Sequence, residues 1–157
     1  MSIEKENFLR SRLIPLLQKL DPATPPVWGK MNLHQMIEHF TDVTTLANGT
    51  KKLEVVTPAG RLPVLREFMM SDKPFRENTK NPLLPEDPPP THTRTLQAAI
   101  GELQQELIRF FEVFEKDPAL KTVHPIFGEL DFNENIQLLH KHALHHLKQF
   151  GAEPLQS

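Results

Sequence analysis

Apolar residues recur every three or four positions in four long segments of the chain. This spacing is typical of helices that each bury one face. It predicts helices over residues 3–20, 31–47, 95–115 and 131–151. Pro15 lies inside the first of them and removes a backbone donor, so we expect a kink or a break there.

Residues suited to helix ends stand at the ends of these segments. Asn32 is placed to cap the second helix, and Asn48-Gly49 to end it. Asp131, with Glu134 three residues later, resembles a capping box at the start of the last helix. Gly151 is a natural stop, and a proline follows at position 154.

A long connection, residues 50–93, joins the second and third helices. We predict a short helix over 62–70 and a strand over 53–56. From Lys73 onward the connection is rich in proline, which is typical of a solvated crossover. Its prolines are Pro74, Pro82, Pro85, Pro88, Pro89 and Pro90. The prediction is an all-α four-helix bundle that forms a single domain over residues 1–157.

Composition excludes several functional classes. The hydrophobic fraction of 38% and charged fraction of 24% are ordinary for a soluble domain. A net charge of -2 offers no basic field for nucleic acid. The N-terminal segment lacks a long apolar run, so we expect neither a signal peptide nor a membrane anchor, and a cytoplasmic location. The chain has no cysteine, so any metal must be held by nitrogen and oxygen, and any thiol must come from an external small molecule.

Four of the eight histidines lie inside the last predicted helix, in a span of seven residues, at positions 140, 142, 145 and 146. His142 and His146 are four residues apart, so on a helix they lie one turn apart on one side. That spacing allows two imidazoles to reach one metal ion. The alternative is a solvated, histidine-rich helix end, in which protonated imidazoles interact favourably with the C-terminal end of the helix dipole.

The second predicted helix offers the third ligand. His34 and His39 are five residues apart and cannot share a face. His39 lies on the flank of the apolar arc and His34 on the more polar side, so His39 is the better ligand. His39, His142 and His146 would supply three neutral nitrogens and leave a fourth position open, as in catalytic zinc sites. Such a donor set suits Zn²⁺ or Ni²⁺, with Fe and Cu as alternatives.

Two stretches of the chain resemble a known group of proteins. Residues 26–40, PVWGKMNLHQMIEHF, and residues 124–128 with 142–151, HPIFG and HALHHLKQFG, resemble the opening and closing motifs of an uncharacterised bacterial family in the DinB/YfiT-like superfamily. The superfamily pattern is one His on an early helix, a His-x-x-x-His pair and a Gln three residues on. Here these are His39, His142, His146 and Gln149, although a shift of one residue would exchange His145 for His146. Residues 51–92 lie outside the resemblance.

The resemblance implies a four-helix bundle with an open metal position facing a pocket, and a homodimer. Relatives include transferases and isomerases that use small thiols, and metal-dependent hydrolases. The enzyme hypothesis is therefore a divalent metal, Zn²⁺ or Ni²⁺, that activates a bound low-molecular-weight thiol or water against a small-molecule substrate. Gln149 is a candidate to hold a ligand imidazole from its outer side. Glu38 is the nearest carboxylate in sequence, but its wheel position points outward, so no general base is identified.

The competing hypothesis is a non-catalytic metal- or ligand-binding bundle. A closed site with His145 or His124 as a fourth ligand would favour it. His124 otherwise belongs to a turn before the last helix, or lines the mouth of the cavity. Trp28 is expected to anchor the entry to the second helix, and together with the proline-rich connection it is a candidate to border the pocket.

Overall fold

The computed structural model describes residues 2–77 and 87–152, and most of them are helical. The helical class predicted from the sequence is therefore confirmed. The α-helices are α1 (Ile3–Asn7), α2 (Leu13–Lys19), α3 (Leu33–Ala47), α4 (Leu62–Met70), α5 (Leu96–Lys116) and α6 (Phe132–Gln149). Two prolines of the predicted crossover, Pro82 and Pro85, lie outside the described residues, as does Pro154, which follows the predicted stop at Gly151. In the described ranges no helix has the length and apolar character needed to cross a bilayer.

The first predicted helix is continuous but irregular. A π-helical segment, Phe8–Arg12, joins α1 to α2, and the Leu13 amide donates to the Phe8 carbonyl five residues back. Pro15 is the third residue of α2, which continues to Lys19 although Pro15 has no backbone N–H to donate. The helix is therefore not broken at Pro15, and the wider turn precedes it.

The predicted caps form. Asn32 and Gln35 exchange side-chain and backbone hydrogen bonds at the start of α3. Asp131 and Glu134 do the same at the start of α6, as the sequence predicted. These local bonds fix where the two helices begin, and therefore which of their residues face each other.

One continuous core joins the longer helices. Helix α3 packs on α5 and α6, while the first helical stretch contacts α5 and α6. Each helix contributes residues that are almost fully buried, as its apolar periodicity predicted. They include Leu9, Leu13, Leu33, Ile37, Leu103, Phe110, Leu139 and Leu147.

The predicted short helix is confirmed as α4, and it is fastened to α6. The Lys141 ammonium donates to the carbonyls of Phe68, Ser71 and Lys73 at and beyond the end of α4. The Gln137 amide donates to the Met69 and Ser71 carbonyls. Both side chains thus bind backbone carbonyls at the end of α4 and just beyond it.

The strand predicted at residues 53–56 is wrong. These residues are irregular, and Leu53, Val55 and Val56 are exposed. The small sheet of the described chain is instead a hairpin in the predicted turn, β1 (Thr122–His124) paired antiparallel with β2 (Gly128–Leu130). Its Thr122 hydroxyl donates to the Ala47 carbonyl at the end of α3 and accepts from the Asn135 amide of α6. The hairpin thus ties together the two helices that carry the candidate ligands.

Candidate metal centre

The structure brings His39, His142 and His146 together. Nε2 of His142 lies 3.3 Å from Nε2 of His39 and 2.7 Å from Nε2 of His146. One ring nitrogen from each of the three residues lies within 4.8 Å of the other two. His142 and His146 are one turn apart on α6, and His39 reaches them from α3, as the helical spacing predicted.

The cluster lies between the core and the surface. His146 is buried at 4% exposure, whereas His39 and His142 are half-buried. The Phe40 ring packs against both α6 imidazoles, with centroid distances of 5.3 Å to His142 and 6.4 Å to His146. The ring nitrogens therefore converge next to the apolar Phe40 ring, and two of the three imidazoles, those of His39 and His142, are partly exposed to solvent.

Gln149 fixes the orientation of the His146 ring. Its side-chain amide donates to the Trp28 carbonyl at 2.9 Å, which turns Oε1 toward Nδ1 of His146, also at 2.9 Å. Nδ1 must then carry the proton, and Nε2 presents a lone pair to the cluster. A hydrogen-bonded outer nitrogen is the usual arrangement of histidines that bind metals.

The loop before α3 makes this contact possible. Gly29 has a φ of 81°, and a Cβ at that position would lie 3.1 Å from the Gln149 amide nitrogen. The Val27 amide also donates to the Gln149 carbonyl at 2.7 Å. A residue without a side chain is therefore needed where the loop meets α6. The loop binds the end of α6 to the start of α3.

Burial keeps the three imidazoles neutral. Together with a smaller effect of the His145 charge, it lowers the pKa of His39 to about 4. Burial, together with the charge of His39, lowers the pKa of His146 to about 3, against the effect of the Gln149 hydrogen bond. Burial and the charges of the neighbouring imidazoles hold the pKa of His142 well below 6.5. At neutral pH all three can therefore offer a lone pair without first losing a proton.

The three ring nitrogens are better arranged to bind a metal ion than to form hydrogen bonds with one another. A neutral imidazole carries one ring proton, so a proton on Nε2 of His142 cannot serve both neighbours fully. The cluster therefore holds a surplus of lone pairs that a cation would satisfy. Nitrogens bound to one tetrahedral zinc are about 3.3 Å apart, given Zn–N bonds of about 2.0–2.1 Å. The observed 3.3 Å matches this value, and the 2.7 Å pair would need to open slightly.

The other predicted histidines lie elsewhere. His34 bonds to the Thr93 hydroxyl at 2.6 Å, and His140 packs against Phe8. His145 lies against the Trp28 ring, with the centroids 5.2 Å apart.

His124 accepts a hydrogen bond from the Ile126 amide through Nδ1 and packs against Phe127, which is a structural role in the hairpin. Neither His124 nor His145 belongs to the three-histidine cluster found among the described residues.

Glu38 departs from the outward position expected from the helical wheel. It is buried at 8% exposure, and its carboxylate accepts from the backbone amides of His92 and Thr93 and from the Thr93 hydroxyl. These bonds hold the pKa of Glu38 below its usual value, against the effect of burial. Glu38 therefore fastens the end of the crossover to α3 and does not face the metal cluster as a base.

Trp28 and the proline-rich connection were both expected near the pocket, but two of their contacts were not predicted. Phe75, from the crossover, lies 5.9 Å from the rings of both His142 and His145. The Trp28 carbonyl, not its ring, holds Gln149. Neither position carried a local signal, because both contacts join residues distant in sequence.

No protein-family model matches the chain, and comparisons with curated proteins and with solved structures found no match. The functional interpretation therefore depends on the residues of this chain.

Proposed function

We propose that this protein is a metal-dependent enzyme in which His39, His142 and His146 hold a divalent ion, Zn²⁺ or Ni²⁺, beside an open position. The observation that carries the proposal is the convergence of three neutral ring nitrogens. Within the described residues, no fourth histidine and no carboxylate belongs to the cluster. Three protein ligands are typical of catalytic zinc sites, whereas structural sites use four.

When bound, the ion would supply Lewis-acid chemistry, lowering the pKa of a coordinated water or thiol so that it is nucleophilic near neutral pH. The residues of the chain prepare the site. Gln149 holds His146 in the tautomer that presents Nε2, and Phe40 shields one side from water. Because the chain has no cysteine, a thiol nucleophile would be a small molecule that enters from solvent. The proposed reaction classes are thiol-dependent transfer or isomerisation, and hydrolysis.

We also propose that the helices form a four-helix bundle of the DinB/YfiT-like type. The packing supports this, since α3, α5, α6 and the first helical stretch share one core and α4 lies in the crossover. The resemblance lies in two motifs. Residues 26–40 form the loop before α3 and the first half of α3, and residues 142–151 form the end of α6, which carries two of the candidate ligands. A homodimer, a cytoplasmic location and a small-molecule substrate belong to the same proposal.

A second candidate is a non-catalytic metal-binding protein of the same shape. The observation in its favour is that, in the part of the chain the structure describes, no carboxylate lies among the three histidines as a general base. Glu38, the nearest acid in sequence, is fully engaged by the end of the crossover. Such a protein would hold the ion without turning over a substrate.

Cobalt substitution separates the two candidates. Co²⁺ reports its ligands through its visible spectrum, and a thiolate ligand adds a charge-transfer band in the near ultraviolet. We expect added 2-mercaptoethanol to produce that band in the Co²⁺-loaded protein, and its sulfur can only be external because the chain has no cysteine. His142→Ala is the control that should show neither spectrum. A Co²⁺ spectrum insensitive to thiols would contradict a thiol-accepting position and favour the non-catalytic candidate.

A further inference from the structure

A groove of about 390 Å³ follows a face of α6 that does not carry the metal cluster. One wall is α6, from Gln137 to Lys148, and the facing wall is the segment after α4, residues 71–75. Lys5 and Trp28 also line it, whereas His39, His142 and His146 do not. Its volume is within the range of small-molecule sites, about 300–1,000 Å³.

The groove offers aromatic and aliphatic surface. The rings of Trp28, Phe75 and His145 line it, and Leu144 and Pro74 add aliphatic surface. His145 packs against both aromatic rings, with centroid distances of 5.2 Å to Trp28 and 5.9 Å to Phe75. Two aromatic rings joined through the His145 imidazole form a surface suited to a ring-containing ligand.

The charges of the groove are predominantly positive. Among the described residues, four lysines and two carboxylates line it. Two of the lysines are engaged, because Lys5 donates to the Gln137 side chain and Lys141 donates to three backbone carbonyls. The ammonium groups of Lys73 and Lys148 remain, and among the described residues no carboxylate forms an ion pair with either.

The two acidic residues limit the charge that the groove can accept. Asp72 and Glu77 offset two of the four lysine charges, so the described lining residues keep a net charge of about +2, which suits an anionic ligand of low charge. Burial and the Lys5 charge lower the pKa of Lys141, consistent with a positive local potential.

We propose that this groove is a binding site for a small aromatic carboxylate, whose ring lies against Trp28, Phe75 and His145 and whose carboxylate lies between Lys73 and Lys148. None of the three candidate metal ligands lines the groove. The groove and the metal centre are neighbours, because Phe75 packs against the His142 ring and His145 against the His146 ring. Binding in the groove does not require a metal, so either proposal can fail without the other.

The position of Trp28 makes the test direct, because it is the single tryptophan of the chain. The probe is 4-iodobenzoate, whose iodine quenches tryptophan fluorescence on contact, and the matched neutral probe is 4-iodobenzamide. Each is titrated into the full chain in the presence of EDTA, and again with Zn²⁺. We expect saturable quenching by the carboxylate with and without the metal, and weaker quenching by the amide.

Charge variants locate the carboxylate. The double variant Lys73→Gln/Lys148→Gln should weaken 4-iodobenzoate binding by about fivefold to tenfold and leave 4-iodobenzamide unchanged. The control, Lys19→Gln/Lys116→Gln, makes the same charge change at exposed positions away from the groove and should bind as the wild type does. Non-saturable quenching, equal binding of the two probes, or equal weakening by the two double variants would each overturn the proposal.

Discussion

The side-chain oxygen of Gln149 lies 2.9 Å from Nδ1 of His146, three residues earlier on α6. The same Gln149 donates through its amide to the Trp28 carbonyl, so its oxygen cannot rotate away without breaking a second bond. The pair thus sets the tautomer of one candidate ligand and ties that ligand to the loop before α3. Loss of an outer partner of this kind commonly weakens metal affinity by about 10–100-fold.

Replacing Gln149 by leucine should weaken Zn²⁺ binding by about 10–100-fold, because His146 loses the acceptor that fixes its tautomer. Competition with a chromophoric chelator measures the affinity. Gln149→Glu is the matched control, since it keeps an acceptor for Nδ1 and loses only the donor to Trp28. We expect it to bind Zn²⁺ much as the wild type does. Equal losses in the two variants would assign the effect to the Trp28 bond instead.

Glu38→Ala should destabilise the fold by about 1–2 kcal/mol, because it leaves the part-buried amides of His92 and Thr93 without their charged acceptor. Urea denaturation measures the free energy of unfolding. Asp42→Ala, an exposed acid one turn later on α3, is the control and should change stability little. The folded Glu38→Ala protein should still bind metal, since Glu38 is outside the cluster. A small effect on stability would contradict its role in holding the crossover.

The metal-free protein should lose stability as the pH falls from about 6.5 toward 4. Burial lowers the pKa of His124 to about 4, whereas an unfolded histidine titrates near 6.5. Between these values the unfolded chain binds a proton that the folded chain does not, so the free energy of unfolding decreases as the pH falls. The stability that neutral His124 contributes is complete above pH 6.5.

His124→Asn isolates this contribution, because the asparagine oxygen can accept from the Ile126 amide as Nδ1 does and takes up no proton. We expect its free energy of unfolding in EDTA to fall less steeply with decreasing pH than that of the wild type, by up to one proton. The other buried histidines are present in both proteins, so the difference between the two curves reports His124 together with its effect on His142. Parallel curves for the two proteins would show that His124 does not contribute to the acid response.

The sequence predicted the helices well because their determinants are local. Asn32 with Gln35, and Asp131 with Glu134, form caps from residues three apart, and the apolar periodicity places each buried face. The hairpin of β1 and β2 was missed because each strand has three residues and depends on Thr122 reaching Ala47 and Asn135. Strands that short have almost no pattern of their own.

The same distinction applies to the candidate site. Helical spacing was enough to select His39, His142 and His146 over their neighbours. It placed Glu38 in solvent, because nothing within α3 reveals that residues 92 and 93 fold back over it. The groove along α6 was likewise invisible in the sequence, since its facing wall is held there by Lys141 and Gln137 through backbone carbonyls. Contacts between distant segments decide such features, and no local pattern encodes them.

The metal content of the purified protein tests the central claim most directly. Mass spectrometry after incubation with Zn²⁺ or Ni²⁺ should find about one ion per chain. The variants His39→Ala, His142→Ala and His146→Ala should each lose it, while His140→Ala and His145→Ala, on the same helix but outside the cluster, should retain it. Absence of bound metal in the wild type, or equal loss in the two control variants, would contradict the three-histidine centre.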